Sequence, residues 1–130
     1  MFNSIIDAAS LKNPTILNNF KQRKVTVKYE PESLTAAYHY IFILEIDDDI
    51  LAAITNIQNE MLNSWYSFFW NETTLYIVFN TKYFKIDMAK DWSPVEYNAA
   101  QEFGRTQDIP EVYLDFKREF LIHKEMVVEK

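Results

Sequence analysis

Residues 65–87 read WYSFFWNETTLYIVFNTKYFKID. Three runs rich in aromatic and β-branched residues, Trp65 to Trp70, Thr74 to Phe79 and Lys82 to Asp87, are separated by Asn71-Glu72 and Asn80-Thr81. Residues of these types at such spacing favour strands joined by tight turns, so the stretch predicts an antiparallel three-strand meander. A two-residue loop at Asn80-Thr81 sets Phe79 opposite Lys82, Ile77 opposite Phe84 and Leu75 opposite Ile86. An even-length loop at Asn71 adds Tyr66, Phe68 and Trp70 to that apolar face, which must pack inside. The other face then carries Trp65, Phe69, Tyr76, Val78, Tyr83 and Lys85, and it too is aromatic.

Upstream, Val25, Val27 and Tyr29 alternate with Thr26, Lys28 and Glu30, the period of a half-buried strand that Pro31 ends. Ala37 to Ile46 is almost continuously apolar and short, which predicts a strand covered on both faces. Asp47-Asp48-Asp49 precedes Ile50, Leu51, Ile54, Ile57, Met61 and Leu62 at helical spacing, so the aspartates suit a helix N-terminus. At the start of the chain Phe2, Ile5, Ile6 and Ala9 also recur at helical spacing and predict a short helix before Asn13-Pro14. Pro14 can open a further helical turn through Ile16, Leu17 and Phe20.

Downstream, Ser93-Pro94-Val95-Glu96 has the form of a capping box, and Gly104, the only glycine, stands where a left-handed terminator belongs. Together they predict a helix from Pro94 to about Phe103. Pro110-Glu111 begins a last helix through Val112, Phe116 and Phe120, and residues 124–130 are expected to fray. The sum is one α+β domain over 1–130: a mainly antiparallel sheet of about five strands with helices on one or both faces.

Bulk properties narrow the function classes. The chain has no cysteine, so disulfides, thiolate nucleophiles and Cys-ligated zinc are absent, and a reducing cytoplasmic setting is expected. No apolar run is long enough to cross a bilayer, and the N-terminal stretch lacks the basic region of a secretory signal. A net charge of −6 opposes an electrostatic grip on nucleic acid. A single glycine excludes phosphate loops and dinucleotide fingerprints, which need several. No cofactor is expected.

Residues with chemical potential each have a structural explanation. His39, inside the long apolar strand, reads as a hydrogen-bonded core histidine, and His123, near a charged terminus, as a solvated one. Asp47-Asp48-Asp49 lacks the ligand spacing of a calcium loop, Asp87, Asp91 and Glu96 form no defined pair, and no metal is expected. Ser64, Ser67 and Ser93 have no nucleophile motif around them, so nothing favours catalysis.

The one feature beyond packing is the second face of the meander, where Trp65, Phe69, Tyr76 and Tyr83 are the candidate binding residues. The competing expectation is that a terminal helix covers them. The leading functional expectation is a noncatalytic intracellular protein-interaction module, such as a small acidic inhibitor, immunity-type or accessory protein. Alternatives are a ligand pocket or enzyme site using His39, Tyr40 or Tyr66, and self-association through the aromatic face or the edge strand Val25 to Tyr29.

Overall fold

The computed structural model describes residues 1–32, 37–47 and 49–128. Its six strands are β1 (Phe2–Asp7), β2 (Lys21–Tyr29), β3 (Tyr38–Ile46), β4 (Tyr66–Trp70), β5 (Thr74–Phe79) and β6 (Tyr83–Asp87). They form one open, antiparallel sheet in the order β2-β3-β1-β4-β5-β6. Three α-helices, α1 (Ile50–Gln58), α2 (Pro94–Thr106) and α3 (Phe116–Val128), flank it. The class is α+β, as the sequence predicts, with one strand more than expected.

The extra strand is β1, where the sequence suggests a helix. Ile5 packs into the core on one side of the sheet and Ile6 into the core on the other. A strand buried on both faces has no polar alternation, so its short apolar run fits either period. Non-local pairing decides: Ile5 lies opposite Ile43 on β3 and Phe68 on β4, which makes β1 the central staple between hairpin β2–β3 and meander β4–β6. The buried Ser4 hydroxyl donates to the Phe68 carbonyl at 2.8 Å, which satisfies its polar atom inside the sheet. Pro14 opens a 3-10 segment, Pro14–Asn19, capped by the Asn13 side chain.

The meander has the predicted register, with Ile77 opposite Phe84, Leu75 opposite Ile86, Phe68 opposite Ile77 and Trp70 opposite Leu75. Both faces are covered. Phe68, Trp70, Leu75, Ile77, Phe79 and Ile86 meet residues of α2 and α3, among them Ala100, Phe116 and Phe120. On the opposite side Phe69, Tyr76 and Val78 meet Ala53, Ile54 and Ile57 of α1, together with Leu11 and Leu17 from the chain start. Each fully buried large side chain contributes on the order of 1.5–3 kcal/mol, so both layers are strongly held.

The ends of α2 differ from their sequence motif. Ser93 adopts a left-handed conformation (φ 45°) and makes no side-chain cap. Its hydroxyl instead accepts a hydrogen bond from the Asp87 amide at 2.9 Å, tying the helix start to the end of β6. Gly104 is inside the helix, and the left-handed terminator is Asp108 (φ 59°). The Ile109 amide reaches back to the Gly104 carbonyl and the Asp108 amide to that of Arg105, the bond pair of a Schellman motif. Gly104 is needed for space, because a Cβ there would lie 2.5 Å from Leu114 Cδ2.

After a 3-10 turn at Glu111–Tyr113, α3 begins at Phe116 behind Asp115, whose side chain accepts from the Arg118 amide. The segment expected to fray from Lys124 is helical to Val128, with Val127 buried, and residues 129–130 lie outside the described ones. Among the described residues no helix is long and apolar enough to cross a membrane.

Candidate functional site

The four residues singled out on the second face of the meander have different fates. Phe69 (0% exposed) and Tyr76 (6%) are sealed beneath the α1 layer, and Trp65 packs half-buried against the same cluster. Only Tyr83 is open, at 40%, with its ring edge-on to Tyr76 at 5.7 Å. The cover is α1 together with the N-terminal segment that carries Leu11 and Leu17, and the helices after Pro110 lie on the other face. The apolar side of α1 is long enough to seal the meander, and the connection after β3 delivers it there.

α1 does not extend over the outer hairpin. On the α1 side of β2 and β3, Val25 (44%), Val27 (55%), Tyr29 (61%), Tyr38 (53%) and Tyr40 (48%) are all exposed. The register makes them contiguous, since Val27 lies opposite Tyr40 and Tyr29 opposite Tyr38, with the two rings of the latter pair 4.9 Å apart. Val25 lies opposite Phe42, which packs at the margin of the α1 core, so the strip runs from that core to the hairpin end. Side chains of this size contiguous in solvent make up an exposed apolar patch of the kind that marks recognition surfaces.

The same ribbon is also a sheet edge. β2 is nine residues long, lies outermost, and holds Lys21, Arg23, Lys24 and Lys28 with no acidic residue. Lys21 pairs with Glu45 at 2.9 Å and Lys28 with Glu30 at 3.0 Å. Each of those carboxyls is accordingly held below the usual carboxylate range, mainly by its hydrogen bond to the lysine. Register slips between Gln22 and Lys24, a bulge that twists the edge.

His39 anchors the other side of the ribbon. Its side chain is 8% exposed, Nδ1 lies 2.6 Å from Asp7 Oδ2, and Nε2 lies 3.6 Å from Glu30 Oε2. Asp7 uses its other oxygen to accept from the Ala9 amide at 2.9 Å. The imidazole thus joins β3 to the end of β1 and to the residue following β2. Tyr40, next to it in β3, points to the opposite face, and Tyr66 lies on β4, where its hydroxyl donates to the Tyr113 carbonyl at 2.6 Å. Burial pushes the Tyr66 phenol well above its ordinary range. The three residues weighed for a pocket are not brought together.

The remaining groups serve the fold. Asp49 caps α1, accepting from the Leu51 amide at 3.0 Å, as its sequence position predicts; Asp48 lies outside the described residues. Ser64 donates to the Gln107 carbonyl and Ser67 is buried. Asp87 accepts from the Ala89 amide, and Glu96 is exposed in the first turn of α2. No group of three His, Asp or Glu residues that could hold a metal occurs among the described residues. An open groove of about 450 Å³ beside Lys21, Glu45 and Asp49 and another of about 660 Å³ beside Asn3 and Lys124 do not include His39 in their walls.

His123, expected to be solvated, is tucked under α3 with its ring 5.1 Å from that of Phe68. No family model, curated protein or solved structure matches the chain.

The sequence marks β2 as an edge strand but predicts β3 covered on both faces, whereas Tyr38 and Tyr40 leave one face of its first half in solvent. The signal for the edge is in β2 itself: four cations on one strand of an acidic chain mark an outermost position. What the alternation of Val25, Val27 and Tyr29 cannot disclose is that no helix among the described residues lies over them.

Proposed function

We propose that the chain is a noncatalytic intracellular interaction module, of the inhibitor, immunity-type or accessory kind, that receives a protein partner on the β2–β3 ribbon. The observation that carries this reading is the contiguous exposure of Val25, Val27, Tyr29, Tyr38 and Tyr40 on one face of that ribbon. Tyrosine and valine there offer apolar area at modest entropic cost, and the tyrosine hydroxyls stay solvated until a partner brings them hydrogen bonds. The clasp of His39 with Asp7 and Glu30 supports it by holding the ribbon in one geometry before binding.

A photo-crosslinking residue placed at Val27, and as a control at Val95 on the outside of α2 (77% exposed), tests the reading in the native cell. A discrete heterologous adduct formed from position 27 and not from 95 is expected. Equal labelling from both positions, or from 95 alone, refutes it.

A further inference from the structure

The ribbon offers a partner two things at once, an exposed apolar face and an unpaired strand edge. Resting on the docking role of the ribbon given above, we propose that the partner is an acidic, extended segment of another protein, which adds to β2 as a seventh strand. An edge strand presents a row of outward N–H and C=O groups that an incoming strand can satisfy, with side chains at alternate positions supplying specificity.

Charge selects the occupant. β2 carries Lys21, Arg23, Lys24 and Lys28 and no acid, while the whole chain has a net charge of −6. Lys21 and Lys28 are already neutralised by Glu45 and Glu30, whereas Arg23 and Lys24, both exposed, make no ion pair among the described residues. A second copy of this chain is a poor fit. Antiparallel pairing of two β2 strands about Val25 would gather eight cations and no acid on one ribbon, with each Lys24 about 7 Å diagonally from Lys24 and Lys28 of the other copy, where like charges oppose pairing.

Nucleic acid fits less well than an acidic peptide. Alternation along β2 places Lys24 and Lys28 on the face opposite Val25, Val27 and Tyr29, and therefore opposite Tyr38 and Tyr40. A stacking platform for bases needs its aromatic rings and its phosphate-binding cations to serve one strand on one face. An added peptide strand meets both faces, because its own side chains alternate. One set lies beside Val25, Val27 and Tyr29, the other beside Lys24, Thr26 and Lys28. The matching peptide therefore alternates apolar residues with Asp or Glu over about seven to nine positions, a span on the order of 25–30 Å.

Selection of binders from a random dodecapeptide display library, run on the native chain and on Arg23→Glu/Lys24→Glu, tests the proposal. The expected winners alternate acidic with aliphatic or aromatic residues. They should slow exchange of the outward β2 amides and bind the charge-reversed variant at least tenfold more weakly. Winners without acidic residues, acidic winners that leave β2 exchange unchanged, or a selection that enriches nothing overturn it. So does tighter binding of single-stranded RNA at the same strand, or a dimer seen by light scattering with β2 protected in the absence of peptide. Winners that shift the Tyr29, Tyr38 and Tyr40 resonances without protecting β2 amides refute strand addition alone and leave ribbon docking standing. Winners that perturb neither refute both.

Discussion

Replacing His123 with phenylalanine should make the protein more resistant to acid. The His123 ring lies against Phe68, its Nδ1 has no hydrogen-bond partner among the described residues, and burial lowers its pKa from 6.5 to about 4. A base whose folded pKa is depressed binds its proton more readily in the unfolded chain. Stability is therefore unaffected above about pH 6.5, falls as pH drops from there towards 4, and levels off below that. The shift in pKa corresponds to a total loss of about 3 kcal/mol, of which about 2.5 kcal/mol is reached by about pH 4.5.

His123→Phe keeps an aromatic ring against Phe68 while deleting both the proton site and the unpaired nitrogen. Urea unfolding of both proteins at about pH 7.5 and about pH 4.5 measures the difference, since carboxylate contributions common to both cancel. The advantage of the variant should grow by about 2.5 kcal/mol on acidification. An advantage that changes by less than about 0.5 kcal/mol would mean that water reaches the imidazole and that α3 does not seal this part of the sheet.

Four further substitutions probe the layers and the clasp. Gly104→Ala gains about 1 kcal/mol of helix propensity but drives a methyl to 2.5 Å from Leu114 Cδ2 in a filled core. A net loss of about 1 kcal/mol is expected by thermal or chemical unfolding, and a gain would show that Leu114 yields freely. Phe69→Ala should cost about 3–5 kcal/mol, whereas Tyr40→Ser should change stability by less than about 1 kcal/mol, because only the first is enclosed. Asp7→Ala removes both the His39 contact and the cap on Ala9, with an expected loss of about 2–4 kcal/mol and faster exchange of β3 amides near Tyr38.

What could be read from the chain depended on whether a decision was local. Strand boundaries and register between Trp65 and Asp87 follow from alternation and from the turn residues at Asn71 and Asn80, all within a few positions of one another. The Asp49 cap of α1 is equally local. β1 is not, because Phe2, Ile5, Ile6 and Ala9 satisfy a helical spacing, and only pairing with β3 and β4, more than 30 residues away, makes them a strand.

The position of Gly104 suggests a need for backbone freedom, yet its role is close contact with Leu114, a residue ten positions on. For the same reason His123 looked solvated among charged neighbours. The candidate site illustrates the limit most clearly: the aromatic face of the meander and the face of the β2–β3 ribbon have similar patterns, and only the reach of α1 leaves one covered and the other open.

Hydroxyl-radical footprinting of the isolated chain tests that distinction directly. Fast oxidation of Tyr29, Tyr38 and Tyr40 together with protection of Phe69 and Tyr76 is the predicted result. Fast oxidation of Phe69 and Tyr76 with the three ribbon tyrosines protected would contradict it and return the binding surface to the meander.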